Sequence, residues 1–567
     1  MNEQAIYHKP ESEYAYAVNE QTLRIVLRTA ARERLSKVEL LYNNKYDFTK
    51  QTATVAMERV TTDGLFDYYG AEITLTDLRF AYIFRLRTPS GEYYYSEAGL
   101  DREYDFEHAY YTFFQFPFIN RTDVIKQIPW TKDAVFYQIF IDRFCRGDYT
   151  KDDGYITQEW NKIPKSNSYC GGDLKGITSK LEYLRGTGMN ALYLTPVFTA
   201  YSNHKYNVKN YTTVDPQFGT NADLHELIAT AHGKGMRVML DTVFNHCDIS
   251  HDYFRDVEEK GRASEYYDWF IIEGEKPEYE KGNYAYFADC KYMPKWNTSN
   301  AATRKFLIDL AVEYVRMGFD GLRLDVADEV SHTMWRELRT AVKAVNHDTL
   351  LIGELWHENT FCLRGDEFDG VMNYRVHKVF MDYFAMSTVT ADTAANRLNR
   401  ILMQNYEQIN GMMLNFLDNH DTPRFLRVCG GNKDKVLSAL TAVILFPGVP
   451  CVFYGTEFPL DGAGDPDCRR TFDWTFETQD KAYFEKYERI LALKREPCVR
   501  EGRTVVDARA GMLRIIRETK CERITALFNN TEKPCVQTPR GELLYSHNCY
   551  GKYIGCNGAA VYKEREI

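Results

Sequence analysis

At 567 residues the chain is long enough for about three or four domains, and its charged (26%) and hydrophobic (44%) shares are those of an ordinary soluble globular protein. A net charge of −10 without a dense basic run argues against nucleic acid or an anionic membrane as a partner. The aromatic share of 14% is high, and such rings fill cores or stack on sugar faces.

Residues 1–20 hold no apolar core of a secretory signal, which predicts a cytoplasmic protein. Thirteen cysteines without CxxC or metal-ligand spacing fit that reading, since an odd number suits free thiols in a reducing compartment. Residues 22–28 alternate, with Leu23, Ile25 and Leu27 on one face. Stretches 38–42, 68–75, 80–87 and 91–95 continue a series of short strands separated by turn residues, the spacing of a β-sandwich over 1–125. The aromatic run 110–118 follows, either as a packed junction between domains or as a surface facing sugar or a second subunit.

From Trp130 short apolar strands alternate with longer amphipathic segments. Strands read at 134–141, 191–195, 238–243, 321–326, 350–355, 370–373, 412–417 and 451–454, with helices such as 221–232, 302–317 and 329–345 between them. This alternation predicts an α/β fold, a closed (β/α)8 TIM barrel over 126–498. The stretch after the third strand, about 246–300, is too long for a connection and rich in Tyr, Asp, Glu and Gly, which marks a subdomain inserted on the C-terminal rim. Residues 436–454 are the most apolar stretch, but Pro447, Gly448 and Pro450 break it into helix, turn and buried strand rather than a membrane span. Short apolar segments return at 512–516, 524–528 and 559–562, a small C-terminal β domain over 499–567.

Reactive groups of such a barrel sit where its strands end, and here four ends are polar together. Strand three ends in Asp241 through Asn245 and His246, strand four in Arg323 and Asp325, strand five in Glu354, Trp356 and His357, strand seven in Asp418, Asn419, His420 and Asp421. Arg323 and Asp325, two apart on a strand, share a face and can enter one pocket. Burying such a carboxylate is costly unless it is paired. One such end alone reads as a structural ion pair; four on one rim read as a convergent site. Several carboxylates without a phosphate loop or metal motif point to glycoside hydrolysis, in which one carboxylate attacks or stabilises the anomeric carbon and a second acid protonates the leaving oxygen. Neighbouring Arg and His can keep one acid ionised while another, in a drier setting, keeps its proton. GxxxxGK[ST], GxGxxG after a strand, HExxH and GxSxG are all missing from the sequence.

At these four ends the sequence resembles glycoside hydrolase family 13, the α-amylase family, in DTVFNH (241–246), GLRLDVADE (321–329), GELWH (353–357) and FLDNHD (416–421). MPKWN (293–297) resembles the fifth signature of the neopullulanase and cyclomaltodextrinase group, and DAVFYQIFIDRF, GGDLKGI and SNHKYNVKNY extend the likeness over nearly the whole chain. The resemblance implies Asp325 as nucleophile, Glu354 as general acid and base, and Asp421 as stabiliser of the distorted sugar. It implies that Arg323 orients Asp325, that His246 and His420 bind hydroxyls of the cleaved glucose, that Tyr206 stacks on that ring, and that Asp465 and Arg469 grip the next glucose inward. Arg424 would support the Asp421 loop, and Asp241 and Asn245 would brace the rim. Trp356 and His357 would line the side of the leaving portion or acceptor, with simple packing as the alternative for Trp356. In this group the N-terminal domain of one subunit commonly covers its partner's site, so the resemblance implies a homodimer with a narrowed cleft for cyclodextrins and short maltooligosaccharides.

The sequence departs from the family in three places. Relatives bind calcium in the loop after strand one through a pattern like NGDxxND followed by GGD; here two amide-bearing positions are Arg146 and Lys151. A fixed cation could neutralise the remaining acids, so no cofactor is expected; were calcium present, Asp148, Asp152, Gly171 and Asp173 would be its candidates. The common HKYD ends in Asn207, and LGSHD becomes LDNHD through Asp418 and Asn419. The expected activity is a retaining α-glucan hydrolase acting on cyclomaltodextrins, short maltodextrins and pullulan, with transfer to sugar acceptors through the same intermediate. An α-glucosidase or oligo-1,6-glucosidase is the alternative, against which the leading β-sandwich weighs. A non-catalytic sugar-binding homologue usually lacks one of the three acids, all present here.

Overall fold

The computed structural model describes residues 1–47, 53–106, 110–477, 479–538 and 540–565. The N-terminal part is a two-sheet sandwich. One sheet orders Ala15–Ala17, Thr22–Ala30, Phe66–Thr74 and Glu58–Thr62; the other runs from Ala53–Ala56 through Lys37–Asn43, Phe80–Thr88 and Gly91–Ser96 to Gly99–Asp101. The alternation of the second strand sends Leu23, Ile25 and Leu27 into a core shared with Leu40, Tyr82 and Phe84 of the facing sheet, while Val26 turns to the opposite face beside Tyr14 and Tyr68. From the aromatic run, Phe114 enters the same core and Phe113 a second cluster with Leu41 and Ile83, whereas Tyr111 is exposed.

Met1–Gln127, Val389–Gly411 and Val505–Arg514 make one compact unit; Ile128–Thr388, Met412–Thr504 and the chain from Ile515 on make the other. Helix Ala391–Met403 thus belongs with the sandwich, where Asn399 donates to the Thr62 carbonyl (2.9 Å) and Arg400 pairs with the buried Asp63 (3.1 Å).

In the second unit eight parallel strands follow one another: β1 (Phe136–Ile139), β2 (Ala191–Leu194), β3 (Arg237–Thr242), β4 (Gly321–Leu324), β5 (Leu350–Gly353), β6 (Gly370–Val371), β7 (Leu414–Phe416) and β8 (Val449–Phe453). β1 pairs with both β2 and β8, and a parallel bridge from Met372 to Leu414 joins the β6 and β7 sides, closing the barrel. Apart from Arg237 at its start, β3 is buried throughout, and so is every other barrel strand, as parallel sheets covered on both faces require. The helices begin where local chemistry starts them. Thr220 and Asp223 form a capping box for Asn221–Gly233, and Asn300 caps Ala301–Met317, which stops at Gly318 in the left-handed region (φ 108°). The next helix starts at His332, not at 329 as its periodicity suggests: Ala327–Glu329 is a separate short turn, and Ser331 caps the helix through the Met334 amide. Residues 436–454 resolve into helix Lys433–Leu445, a turn at Pro447 and Gly448, and β8; among the described residues no helix is long and apolar enough to cross a membrane. The insertion after β3 carries helix Asp252–Lys260 and pairs of bridging residues, Phe270 with Trp296 and Ile272 with Tyr284, around the fully buried Trp296. Its bridge from His246 to Lys295 ties it to the end of β3. At the C-terminus, Glu522–Asn529, Cys535–Val536 and Glu542–Tyr550 all pair with the long strand Tyr553–Arg565.

His8 is sealed into the sandwich core, with Nδ1 2.7 Å from the Val26 carbonyl and Nε2 2.7 Å from the Tyr82 hydroxyl. The carbonyl accepts the Nδ1 proton and the hydroxyl donates to Nε2, which fixes a neutral ring. Burial drives its pKa down to about 3, against the pull of that carbonyl. An unfolded His takes up a proton near pH 6.5 and the folded one does not, so this contribution is complete above about pH 6.5 and is lost as pH falls toward 3. Thermal denaturation followed across pH 7 to 4 is expected to show Tm falling, with a shallower fall in His8→Gln.

Candidate active site

Arg323, at the end of β4, is fully buried and holds three carboxylates. Its Nη1 lies 2.8 Å from both Asp241 Oδ1 and Asp325 Oδ1, and its Nη2 lies 2.9 Å from Glu354 Oε1. The strand period explains the first contacts: Arg323 and Asp325 share a face, and the β3–β4 register sets Asp241 directly opposite Arg323. One guanidinium cannot fully offset the burial of three carboxylates in a dry pocket, so Asp241 and Asp325 are pushed above the usual carboxylate range. Burial lifts Asp241 to about 6 against Arg323 and two tyrosine hydroxyls. Burial also pushes Asp325 upward, opposed by Arg323 and reinforced by Glu354 and Asp241. Asp325 Oδ2, though buried, has no hydrogen-bond partner among the described residues.

The chain leaves β4 through Val326 in the left-handed region (φ 46°, ψ 48°), an uncommon place for a β-branched residue. That turn aims the Val326 amide at Glu354 Oε2 (3.0 Å), while the Trp356 indole donates to Oε1 (3.1 Å). Glu354 thus has both oxygens held.

Asp241 Oδ2 accepts from the hydroxyls of Tyr193 and Tyr206, each at 2.7 Å. Tyr206 stacks on His420 with rings 5.3 Å apart and 4° from parallel, and its hydroxyl lies 2.5 Å from His420 Nε2. The Gln138 side-chain amide nitrogen, 2.8 Å from His420 Nδ1, can only donate, which places the ring proton on Nε2. Asp421 faces His420 Nε2 at 3.2 Å and Arg469 at 3.5 Å, and burial lifts its carboxyl against Arg323 and Arg469. Arg469 pairs with Asp465 (2.9 Å) and donates to the His420 carbonyl (2.8 Å). Arg424 donates to the carbonyls of Cys468 (2.7 Å) and Tyr454 (2.6 Å), tying the turn after β7 to the chain beyond β8. On the opposite wall His246 stacks on Phe287 (4.8 Å), accepts at Nδ1 from Asn245 (3.3 Å), and leaves a buried Nε2 with no partner among the described residues. Asn245 is itself held by Lys295.

These groups line a cleft of about 570 Å³ whose walls include His204, Tyr206, His246, Asp325, Glu354, Trp356, His420, Asp421, Asp465 and Arg469. Arg323 lies beneath it. Of the expected binding residues, Arg323 and His357 are not part of the lining; His357 faces Asp328 at 3.8 Å, and Asp328 stands on the wall. Trp356 lines the cleft, is 51% exposed and lies flat on Tyr374 with ring centroids 3.9 Å apart. Sequence reasoning missed Phe287, Cys290 and Tyr292, which complete the wall beside Met293, as well as Tyr374 and Gln138. The first three stand just before or beside MPKWN, and Gln138 is a polar residue inside the apolar strand β1, the available sequence signals.

The family profile described as "Alpha amylase, catalytic domain" matches residues 138–501. The chain belongs to the α-amylase family. It is a glycoside hydrolase. A second profile, "Alpha amylase, N-terminal ig-like domain", matches residues 1–120. A cyclomaltodextrinase of Thermoanaerobacter pseudethanolicus is 39% identical over 88% of this chain and 86% of its own. Neopullulanase 2 of Thermoactinomyces vulgaris is 37% identical over 93% and 91%. A solved cyclomaltodextrinase superposes with a TM-score of 0.90 at 34% identity, covering 100% of this chain and 98% of its own.

The α-amylase-family calcium loop after β1 does not fit a calcium ion here. Lys151 Nζ lies 2.9 Å from Asp173 Oδ2, 2.7 Å from the Gln217 carbonyl and 3.4 Å from the Gly171 carbonyl, so an ammonium already sits among the oxygens a hard cation would use. Asp173 Oδ1 is taken by the amides of Gly147 (2.9 Å) and Gly176 (2.7 Å). Asp148 pairs with Lys175 (2.7 Å), and Asp152 accepts from the Gly154 amide (3.0 Å). Chelator is expected to leave Tm unchanged. Lys151→Met, which removes the ammonium paired with the buried Asp173 carboxylate and leaves it only backbone amides, is expected to cost about 3 kcal/mol in denaturant unfolding.

Proposed function

We propose that this enzyme is a retaining α-glucan hydrolase that opens cyclomaltodextrins and cleaves short maltooligosaccharides and pullulan at α-1,4 bonds, with α-1,6 bonds as a secondary target. The observation that carries the reading is Asp325: one oxygen is held by Arg323 and the other, buried in the cleft, is unengaged. Asp325 Oδ2 attacks the anomeric carbon as the bond to the leaving oxygen breaks, and Glu354 supplies the proton to that oxygen. Glu354 then takes a proton from water, whose oxygen displaces Asp325 and restores the free carboxylate. Holding both acids on one guanidinium favours the close spacing of about 5 Å that a covalent intermediate needs, rather than the wider gap of inversion.

Tyr206 stacks on the ring being cleaved, the Nε2 groups of His246 and His420 and the carboxylate of Asp421 take its hydroxyls, and Asp465 with Arg469 hold the next glucose inward. Trp356, backed by Tyr374, offers a flat face to the leaving sugar or to an acceptor, so the glycosyl-enzyme also passes to sugar hydroxyls. The names of the relatives support the substrate class, and Neopullulanase 2 supports pullulan. We place the enzyme inside the cell as a homodimer whose N-terminal domain narrows the partner's cleft. Support for the location comes from thirteen free cysteines and from a Bacillus subtilis relative named "Intracellular maltogenic amylase", 36% identical over 87% of this chain.

Asp325→Asn is expected to lower kcat on β-cyclodextrin by several powers of ten, without loss of the folded state by circular dichroism. Retention of the parental rate would remove Asp325 from the chemistry. In parallel, the wild type is expected to turn over β-cyclodextrin faster than soluble starch and to sediment as a dimer. Starch as the better substrate would mean an open cleft.

A further inference from the structure

Asn419 is 1% exposed; it bonds both its own turn and a residue of another element. Its Oδ1 accepts from the backbone amides of Asp421 (2.9 Å) and Thr422 (3.1 Å), which pins the turn that presents Asp421. Its own backbone amide donates to the Thr422 hydroxyl (3.1 Å), and its Nδ2 donates to the Tyr374 hydroxyl at 2.8 Å. The Tyr374 ring is gripped in turn, with Phe416 edge-on at 4.9 Å and Trp356 flat on top at 3.9 Å. Trp356 then donates to Glu354 Oε1 at 3.1 Å. A continuous line of contacts therefore runs from the Asp421 turn through Asn419, Tyr374 and Trp356 to Glu354.

We propose that Asn419 is a positioning residue for the acceptor side: by fixing the Tyr374 hydroxyl it sets the height and tilt of the Trp356 face on which a leaving or incoming glucosyl ring stacks. The role rests on the hydrolase reading above. The ring contacts of Tyr374 with Trp356 and Phe416 are weakly directional, whereas the bond from Asn419 to its hydroxyl is directional and limits the swing of the ring about its own side-chain torsions. If the ring swings, Trp356 moves with it, and a sugar on the acceptor side loses the near-attack geometry that orientation supplies. Serine at 419 keeps a hydroxyl that can accept from the amides of the turn, but it is too short to carry a donor to Tyr374. That substitution separates the two halves of Asn419's work.

The experiment compares two classes of substrate in wild type, Asn419→Ser, Tyr374→Phe and the double variant. One substrate, maltotriose, must place a glucose on the Trp356 side to leave; the other, p-nitrophenyl α-maltoside, leaves as a phenolate whose departure needs little help from the platform. The ratio of kcat/KM between them is the readout, with the yield of transfer product from β-cyclodextrin in the presence of glucose. In both single variants the maltotriose-to-aryl ratio is expected to fall at least tenfold and transfer yield to fall with it. The double variant should be no worse than either single, because both remove one bond. Tyr374→Phe keeps the ring stack and reads the same bond if the serine variant proves unstable. A ratio that stays at the wild-type value, with both substrates slowed equally, assigns Asn419 to the Asp421 turn alone and overturns the proposal; so do additive losses in the double variant. Wild type inactive on both substrates sinks the hydrolase reading itself, a result distinct from either.

Discussion

The site depends on one buried cation. Arg323 has no exposed surface and meets Asp241, Asp325 and Glu354 through two nitrogens of one planar group. Without it, three carboxylates would face one another in a dry pocket, where leaving even one buried charge unpaired costs about 3 to 5 kcal/mol. A lysine would not substitute, because its point charge has no fork to hold two acids at a set spacing. Through Asp241 the same cation reaches the Tyr206 and Tyr193 hydroxyls, and through Tyr206 it reaches His420, so the stacked Tyr206–His420 pair and the buried acids share one electrostatic anchor.

Around this anchor each wall of the cleft is supplied by a different kind of element. β3 and β4 contribute acids from adjacent, register-fixed strands. The turn after β7 contributes His420 and Asp421, held by Asn419 and by the Arg469 contact to the His420 carbonyl. The insertion after β3 contributes Phe287 and its neighbours, latched to the barrel by the His246–Lys295 bridge. Strands β3 and β4 carry Asp241 and Arg323, while Asp325, Glu354 and Asp421 sit just past the ends of their strands, where short turns aim them.

Much of this was legible in the sequence, for physical reasons. Eight apolar strands stand out because a doubly covered parallel sheet must be apolar throughout, and Arg323 with Asp325 stands out because a charged pair at period two in such a strand needs a pocket. Tyr374 and Phe287 were not legible. They reach the site from the start of a helix and from the insertion, and an aromatic residue in either place reads equally well as core. The helix start at 329 was misread because periodicity does not register the left-handed break at Val326. Nor does composition reveal that Val389–Gly411 packs as part of the sandwich unit, since only tertiary contacts such as Arg400 to Asp63 decide it.

Val326 separates two things the turn could be thought to need together. A β-branched side chain in the left-handed region costs on the order of 1 to 3 kcal/mol, and asparagine would adopt that geometry at less expense. The turn directs a backbone amide onto Glu354, and that aim follows from the backbone angles themselves, so a residue that favours the left-handed region keeps it. The strain belongs to the side chain and not to the geometry, and the chain therefore holds a stabilisation that one substitution can reach.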